Sequence, residues 1–147
     1  MEKRFTREEI KQRFQTSIDA GHPIIVASAG IGIAAKFAER GGADMIGLFN
    51  SSYLGLGRVE ATSLMPYGNA NDIVMSLGDR IFPVVQDTPI LGGIIGSDPT
   101  REMTPFLKIM QFKGFPAVIN FPSPGFAYGQ HRRNLERNNY GVQQELK

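Results

Sequence analysis

The sequence predicts an α/β domain built on a parallel sheet, and three observations carry that prediction. Short apolar runs occur at Pro23–Ala27, Met45–Phe49, Pro89–Ile95 and Ala117–Phe121. Between them lie stretches whose apolar residues recur at helical spacing, set off by glycine and proline. Strands that alternate with helices form right-handed β–α–β units, which place the strands side by side and parallel.

The first element is a helix. Thr6 and Glu9 have capping-box spacing, Phe5 can pack on Ile10 as a hydrophobic staple, and Ile10, Phe14 and Ile18 form one buried stripe that stops at Gly21. Pro23–Ala27 reads as a strand buried on both faces. Gly30-Ile31-Gly32 turns the chain into a helix that runs to about Arg40 and ends at Gly41-Gly42. Met45–Phe49 is the second strand. Ala70–Phe82 places Ile73, Val74, Leu77 and Ile81 on one helical face, with Asn69 as its cap and Asp72 in its first turn. Pro89–Ile95 is the third strand. Asp98-Pro99 is the expected entrance to the next helix, Thr104-Pro105 a second entrance, and Gly114 its end. Ala117–Phe121 is the fourth strand, and the closing GVQQELK has the character of the first turns of a helix.

With 147 residues, 41% of them hydrophobic and 20% charged, the composition is that of one globular domain, 1–147, without internal linker or low-complexity segment. No apolar run is long enough to span a bilayer, and the charged start MEKRFTREEIK lacks the apolar core of a signal peptide. A cytoplasmic protein without a membrane partner is the expectation. The absence of cysteine excludes disulfides, thiolate metal sites and a cysteine nucleophile. The formal net charge is +2, and the basic cluster His131-Arg132-Arg133 with Arg137 reads as a solvated helix face, not as a nucleic-acid surface.

The connection after the second strand is unusually long. It holds Tyr53, Leu54, Leu56, Leu64, Met65 and Tyr67, too much apolar surface for a free linker, and is expected to fold over a ligand site at the strand end. Gly30-x-Gly32-x-x-Ala35 has the form of a dinucleotide fingerprint, but Asn50 stands where the ribose-binding acid belongs. The glycines therefore read as tight-turn chemistry, at a helix start that can still receive a phosphate or carboxylate.

FTREEI (Phe5–Ile10), GHPIIVASAGIGIAAKFAERGGAD (Gly21–Asp44), FNSSY (Phe49–Tyr53), LMPYGNANDIVM (Leu64–Met75), PVVQDTPILGGIIGSDPTREM (Pro83–Met103) and GFPAVINFPSPG (Gly114–Gly125) together resemble the phosphoenolpyruvate hydrolase-like family of TIM-barrel proteins, also described as signal-transduction barrels. The resemblance runs nearly end to end. It implies a (β/α) TIM-barrel fold, of which about four units are present, where a complete barrel takes roughly 250 residues. Four such units expose strand edges, so association into a homo-oligomer, an open sheet or a C-terminally incomplete fragment is expected.

In such barrels ligand groups come from the carboxyl ends of the strands. The residues that meet this rule are Ser28 and Gly30, Asn50 and Ser51, Ser97 and Asp98, and Asn120 and Ser123, with Arg58 and Tyr67 arriving from the long connection. The resemblance implies an enzyme of phosphoenolpyruvate or pyruvate type, a hydrolase or lyase, acting on a small anionic keto or enol acid. Asn50 and Asn120 would orient the substrate, the Gly30–Gly32 backbone would receive its anion, Arg58 would supply countercharge, and Asp98 would be the acid–base group. Asp98 taken alone also reads as a helix cap. Related barrels hold magnesium with several carboxylates, whereas this sequence has Asn50 and Asn120 at such places, so a magnesium site has no carboxylate cluster behind it. His22 precedes the first strand, on the face opposite the site, and His131 reads as solvated. The alternatives are a non-catalytic ligand-sensing or protein-interaction barrel, or an inactive truncated fragment.

Overall fold

The computed structural model describes residues 5–54 and 68–146. Four parallel strands pair in the order of the chain, β1 (Val26–Ser28), β2 (Met45–Leu48), β3 (Ile90–Ile94) and β4 (Ala117–Asn120). Sequential order means that every crossover steps the same way. A doubly wound sheet would instead reverse direction and carry helices on both faces. Helices α2 (Gly32–Arg40), α3 (Ala70–Ile81) and α4 (Met103–Lys113) accordingly share one core with one face of the sheet. Ile46, Leu48, Ile90 and Ile94 meet Ala35, Val74, Leu77, Ile81, Phe106 and Met110 there. The expected α/β architecture of parallel (β/α) units is present, with half the strand number of a closed eight-stranded barrel.

The opposite face is filled differently. Helix α1 (Arg7–Asp19) starts on the expected capping box, in which Thr6 Oγ1 accepts from Glu9 N at 3.2 Å and Thr6 N donates to the Glu9 carboxylate at 2.6 Å. Its Phe5 and Ile10 close over Met45, with Phe14, Leu91 and Ala117 at the margin, so α1 seals the amino end of this face. Further up, the Phe49 ring lies across Gly47 and Gly93. A β-carbon built on Gly93 would meet the Phe49 ring and lie 2.7 Å from the Phe121 carbonyl oxygen. Phe49 meets Phe121 edge-on, with ring centroids 4.9 Å apart.

Three expectations need correction. Ile18 does not belong to the buried stripe of α1 but is exposed, and the packing of this helix region rests on Phe5, Ile10 and Phe14. The first strand is Val26–Ser28, not Pro23–Ala27, and it is not buried on both faces. Ile24, Ile25 and Val26 are exposed, since β1 has β2 on one side and no strand on the other among the described residues. Asp98 does not cap a helix. Its Oδ1 accepts from Thr100 N at 2.9 Å and from Thr100 Oγ1 at 2.6 Å, forming an Asx turn, and α4 begins only at Met103.

Two further helices, α5 (Gly129–Arg137) and α6 (Val142–Glu145), follow β4. Helix α5 has no buried residue, in keeping with the solvated basic face expected for His131, Arg132, Arg133 and Arg137. No described helix is long and apolar enough to cross a membrane.

Candidate functional site at the carboxyl edge of the sheet

Because all four strands run parallel, the residues that follow them gather at one edge. Ser28 ends β1, and its Oγ lies 2.6 Å from Ser52 Oγ in the turn after β2. Asn50 and Ser51 open that turn and are buried, at 2% and 6% exposure. Ser97 and Asp98 follow β3 and are buried, while Asn120 ends β4 and is exposed. Gly30 and Gly32 lead into α2, whose first residues receive no side-chain cap from Ile31. Arg58, Tyr67 and most of the long connection lie outside the described residues.

Asp98 is the most heavily engaged group at this edge. Its Oδ2 accepts from Asn69 Nδ2 at 2.9 Å, Asn71 Nδ2 at 2.9 Å and Arg101 Nε at 2.5 Å, while Oδ1 takes both Thr100 donors. Burial opposes the charge, but the hydrogen bonds from Thr100, Asn69 and Asn71 outweigh it and hold the carboxyl at about 2. It is therefore a carboxylate at any ordinary pH. Arg101 also reaches Asp72 at 3.1 Å and stacks on Phe106, 4.7 Å from the ring centroid.

Asn71 is the part that sequence reasoning missed. Fully buried in the first turn of α3, it accepts from Ile95 N at 2.8 Å and donates to Ile95 O at 3.2 Å and to Asp98. Its amide thus pairs with the backbone just beyond β3 as another strand would. Asn69, Asn71 and Asp72 together tie the start of α3 to the β3–α4 turn. The available signal was the density of Asn and Asp in one first turn, more than capping alone requires.

A second carboxyl at this edge was also missed. Glu145 of α6 lies beside Ser123, whose hydroxyl donates to Oε2 at 2.7 Å. Its Oε1 is buried with no hydrogen-bond partner among the described residues. Burial raises its pKa, and the Ser123 bond only partly offsets this. A β-carbon built on Gly96 would sit 3.5 Å from Asn120 Oδ1 and 3.5 Å from Glu145 Cα, so Gly96, Asn120 and Glu145 adjoin one another. Ser97 Oγ, the next residue along, is likewise buried without a partner among the described residues. Tyr140 belongs to the same returning segment, its pKa raised by burial and then by the charge of Asp98. Segment 140–145 thus crosses the ends of β3 and β4.

Among the described residues, no group of three or more His, Cys, Asp and Glu side chains is placed to hold a metal ion.

A parallel sheet in chain order, with helices between its strands, defines a protein of the (β/α) class. The chain belongs to the phosphoenolpyruvate hydrolase-like family, whose model matches residues 9–147. It is 41% identical over 143 residues to the ToMV resistance protein Tm-1(GCR237) of Solanum lycopersicum, covering 95% of this chain and 19% of that protein. It is 32% identical over 143 residues to the putative transcriptional regulatory protein y4pA of Sinorhizobium fredii, covering 95% of this chain and 23% of that protein. The chain spans about a fifth of the length of these two relatives.

Proposed function

We propose that the carboxyl edge of this sheet binds a small anionic keto or enol acid of the pyruvate or phosphoenolpyruvate type and acts on it chemically. The observation that carries this reading is Ser97, whose hydroxyl is buried just beyond β3 with no hydrogen-bond partner among the described residues. Burying polar groups costs free energy unless hydrogen bonds compensate, and a strand mouth is where a barrel spends that cost on a ligand. Asn50 and Asn120 orient the acid, Ser28, Ser51 and Ser97 add hydroxyl contacts, and the Gly30–Gly32 backbone at the start of α2 receives the anionic group. Asp98 acts through position, holding the β3–α4 turn that presents Ser97.

The test is ligand-dependent thermal stabilisation, since any ligand of the native state raises its melting temperature. Pyruvate and phosphoenolpyruvate raise it, with and without magnesium, and phosphate release from phosphoenolpyruvate reports the hydrolase chemistry. Ser97→Ala weakens the shift, because it removes the buried hydroxyl offered to the ligand just beyond β3. If no acid shifts the melting of wild-type protein, the reading is wrong.

A second reading is favoured by a separate observation. Val26 on β1 with Ile25 just before it, and Val118 and Ile119 on β4, are apolar yet exposed at the two outer strands. Such strands associate, and in this reading the domain is an interaction module or a homo-oligomer. Sedimentation of the isolated chain distinguishes a monomer from an assembly.

A further inference from the structure

We propose that Glu145 is the base that moves the C3 proton of a 2-keto acid bound at the ends of β3 and β4, with Asn120 and Ser97 donating to the enolate oxygen that forms. This deepens the reading above and rests on it.

The geometry supplies each part. The Ser123 hydroxyl fixes one oxygen of the Glu145 carboxyl at 2.7 Å and leaves the other, Oε1, buried and without a partner among the described residues. Gly125 N donates to Ser123 Oγ at 3.0 Å, which fixes the hydroxyl proton on Glu145. A β-carbon on Gly96 would lie 3.5 Å from both Asn120 Oδ1 and Glu145 Cα, so Gly96 brings the Asn120 side chain and the Glu145 backbone together at this edge. The Ser97 hydroxyl, buried and unpartnered among the described residues, is the neighbouring donor. Asp98 cannot take the proton, because both its oxygens are filled by five donors. Burial also makes the Glu145 carboxylate more basic than a solvated one, which suits a base that works near neutral pH.

The step balances within the site. The Glu145 carboxylate takes a proton from C3 of the keto acid, the C3–H electron pair forms the C2–C3 double bond, and the carbonyl π pair moves to oxygen. The resulting enolate is held by N–H and O–H donors. In reverse, the Glu145 carboxyl returns a proton to C3 and restores the keto acid, with no oxidant or reductant involved.

The experiment is hydrogen–deuterium exchange at C3 of pyruvate in D2O, followed by proton NMR, with pyruvate binding measured in parallel by thermal shift. Wild-type protein binds pyruvate and accelerates exchange. Glu145→Gln, which keeps the shape and the Ser123 bond, still binds and loses roughly 100-fold or more of the acceleration, the lower range for a positioned general base. Asn120→Ala, an exposed substitution that leaves folding intact, slows exchange about tenfold or more through loss of an oxyanion donor. If pyruvate binds but Glu145→Gln exchanges at the wild-type rate, the assignment of Glu145 is overturned while the ligand reading stands. If Glu145→Gln does not fold, an unchanged rate in Asn120→Ala overturns the proposal in its place. If wild-type protein neither binds pyruvate nor exchanges it, both readings fall.

Discussion

Replacing Asp98 with Asn tests the network that holds the site's edge. The substitution is nearly isosteric but turns one acceptor oxygen into a donor. Whichever way the new amide lies, it points N–H groups either at Thr100 N and Thr100 Oγ1 or at Asn69, Asn71 and Arg101. Thr100 Oγ1 can turn to accept, and the Asn side chains can flip only by giving up Asn69's cap or Asn71's hold on Ile95. The linkage term alone is substantial. The Asp98 carboxyl falls from its ordinary 3.8 to about 2, and at roughly 1.4 kcal/mol per pKa unit this is worth about 2 kcal/mol of stability at neutral pH. An unsatisfied buried donor costs about 1–3 kcal/mol more.

The expected loss for Asp98→Asn is therefore about 3–5 kcal/mol, a large share of the roughly 5–15 kcal/mol that a domain possesses. The assay is urea denaturation of both proteins at several pH values. Because the folded pKa is depressed, the Asp98 contribution is present above its ordinary value and is lost as the pH falls through about 2. Wild-type stability accordingly drops from pH 4 to pH 2 more steeply than that of Asp98→Asn, and the two curves converge. A variant within 1 kcal/mol of wild type at neutral pH, with an unchanged acid slope, would refute the network argument.

Asn71→Ala should cost about 2–3 kcal/mol in denaturant melts, since it strands Ile95 N–H and withdraws one donor from Asp98. Gly93→Ala should destabilise by about 1–3 kcal/mol, because the new methyl meets the Phe49 ring and the Phe121 carbonyl oxygen, and the backbone oxygen cannot turn aside; a crystal structure would show Phe49 displaced. Glu39→Ala should cost about 1–3 kcal/mol by thermal melting, as Glu39 accepts from the successive N–H groups of Gln86, Asp87 and Thr88 and ties α2 to the start of β3. Glu145→Gln should raise stability at neutral pH. A raised folded pKa gives a contribution that is present at low pH and lost as the pH rises through that raised value, and glutamine removes the loss.

The sequence made the sheet and its helices legible because their signals are local. Thr6 and Glu9 announce α1, Asn69 announces α3, and apolar runs of four or five residues mark β2, β3 and β4. It misled wherever the outcome depended on a neighbour far along the chain. Nothing in Pro23–Ala27 says whether a strand will lie on both of its sides, so β1 was expected to be buried and is an edge. Asp98-Pro99 has the form of a helix entrance, and the competing partners that turn it into an Asx turn and a network centre come from Asn69 and Asn71, 29 and 27 residues earlier. The strand-end rule brought Ser28, Asn50, Ser51, Ser97, Asp98 and Asn120 to one edge because parallel pairing alone guarantees it. That rule could not reach Glu145 or Tyr140, which follow β4 by 20 residues or more and arrive only because 140–145 folds back.

The two carboxyls at this edge divide the work by environment. Asp98 and Glu145 both sit beyond the ends of β3 and β4, and burial opposes the charge of each. What separates them is the number of donors. Five converge on Asp98, so its charge is locked in place and its proton is gone; one reaches Glu145, so its second oxygen keeps its affinity for a proton. Titratable groups pushed apart in this way mark the acid–base assignments of a site. Adding a second donor to Glu145 should therefore erase the difference. Gly96→Ser would put a hydroxyl near Glu145, whose Cα lies 3.5 Å from the position of the new β-carbon, in a space that accepts a β-carbon at ordinary contact distances. If that hydroxyl bonds Oε1, the Glu145 pKa falls toward the ordinary carboxylate value, which carboxyl-carbon NMR titration reads directly. Pyruvate exchange should slow with it even though Glu145 itself is untouched. Slowed exchange with an unmoved Glu145 titration would mean that the serine merely blocks access, and the basicity argument would then fail.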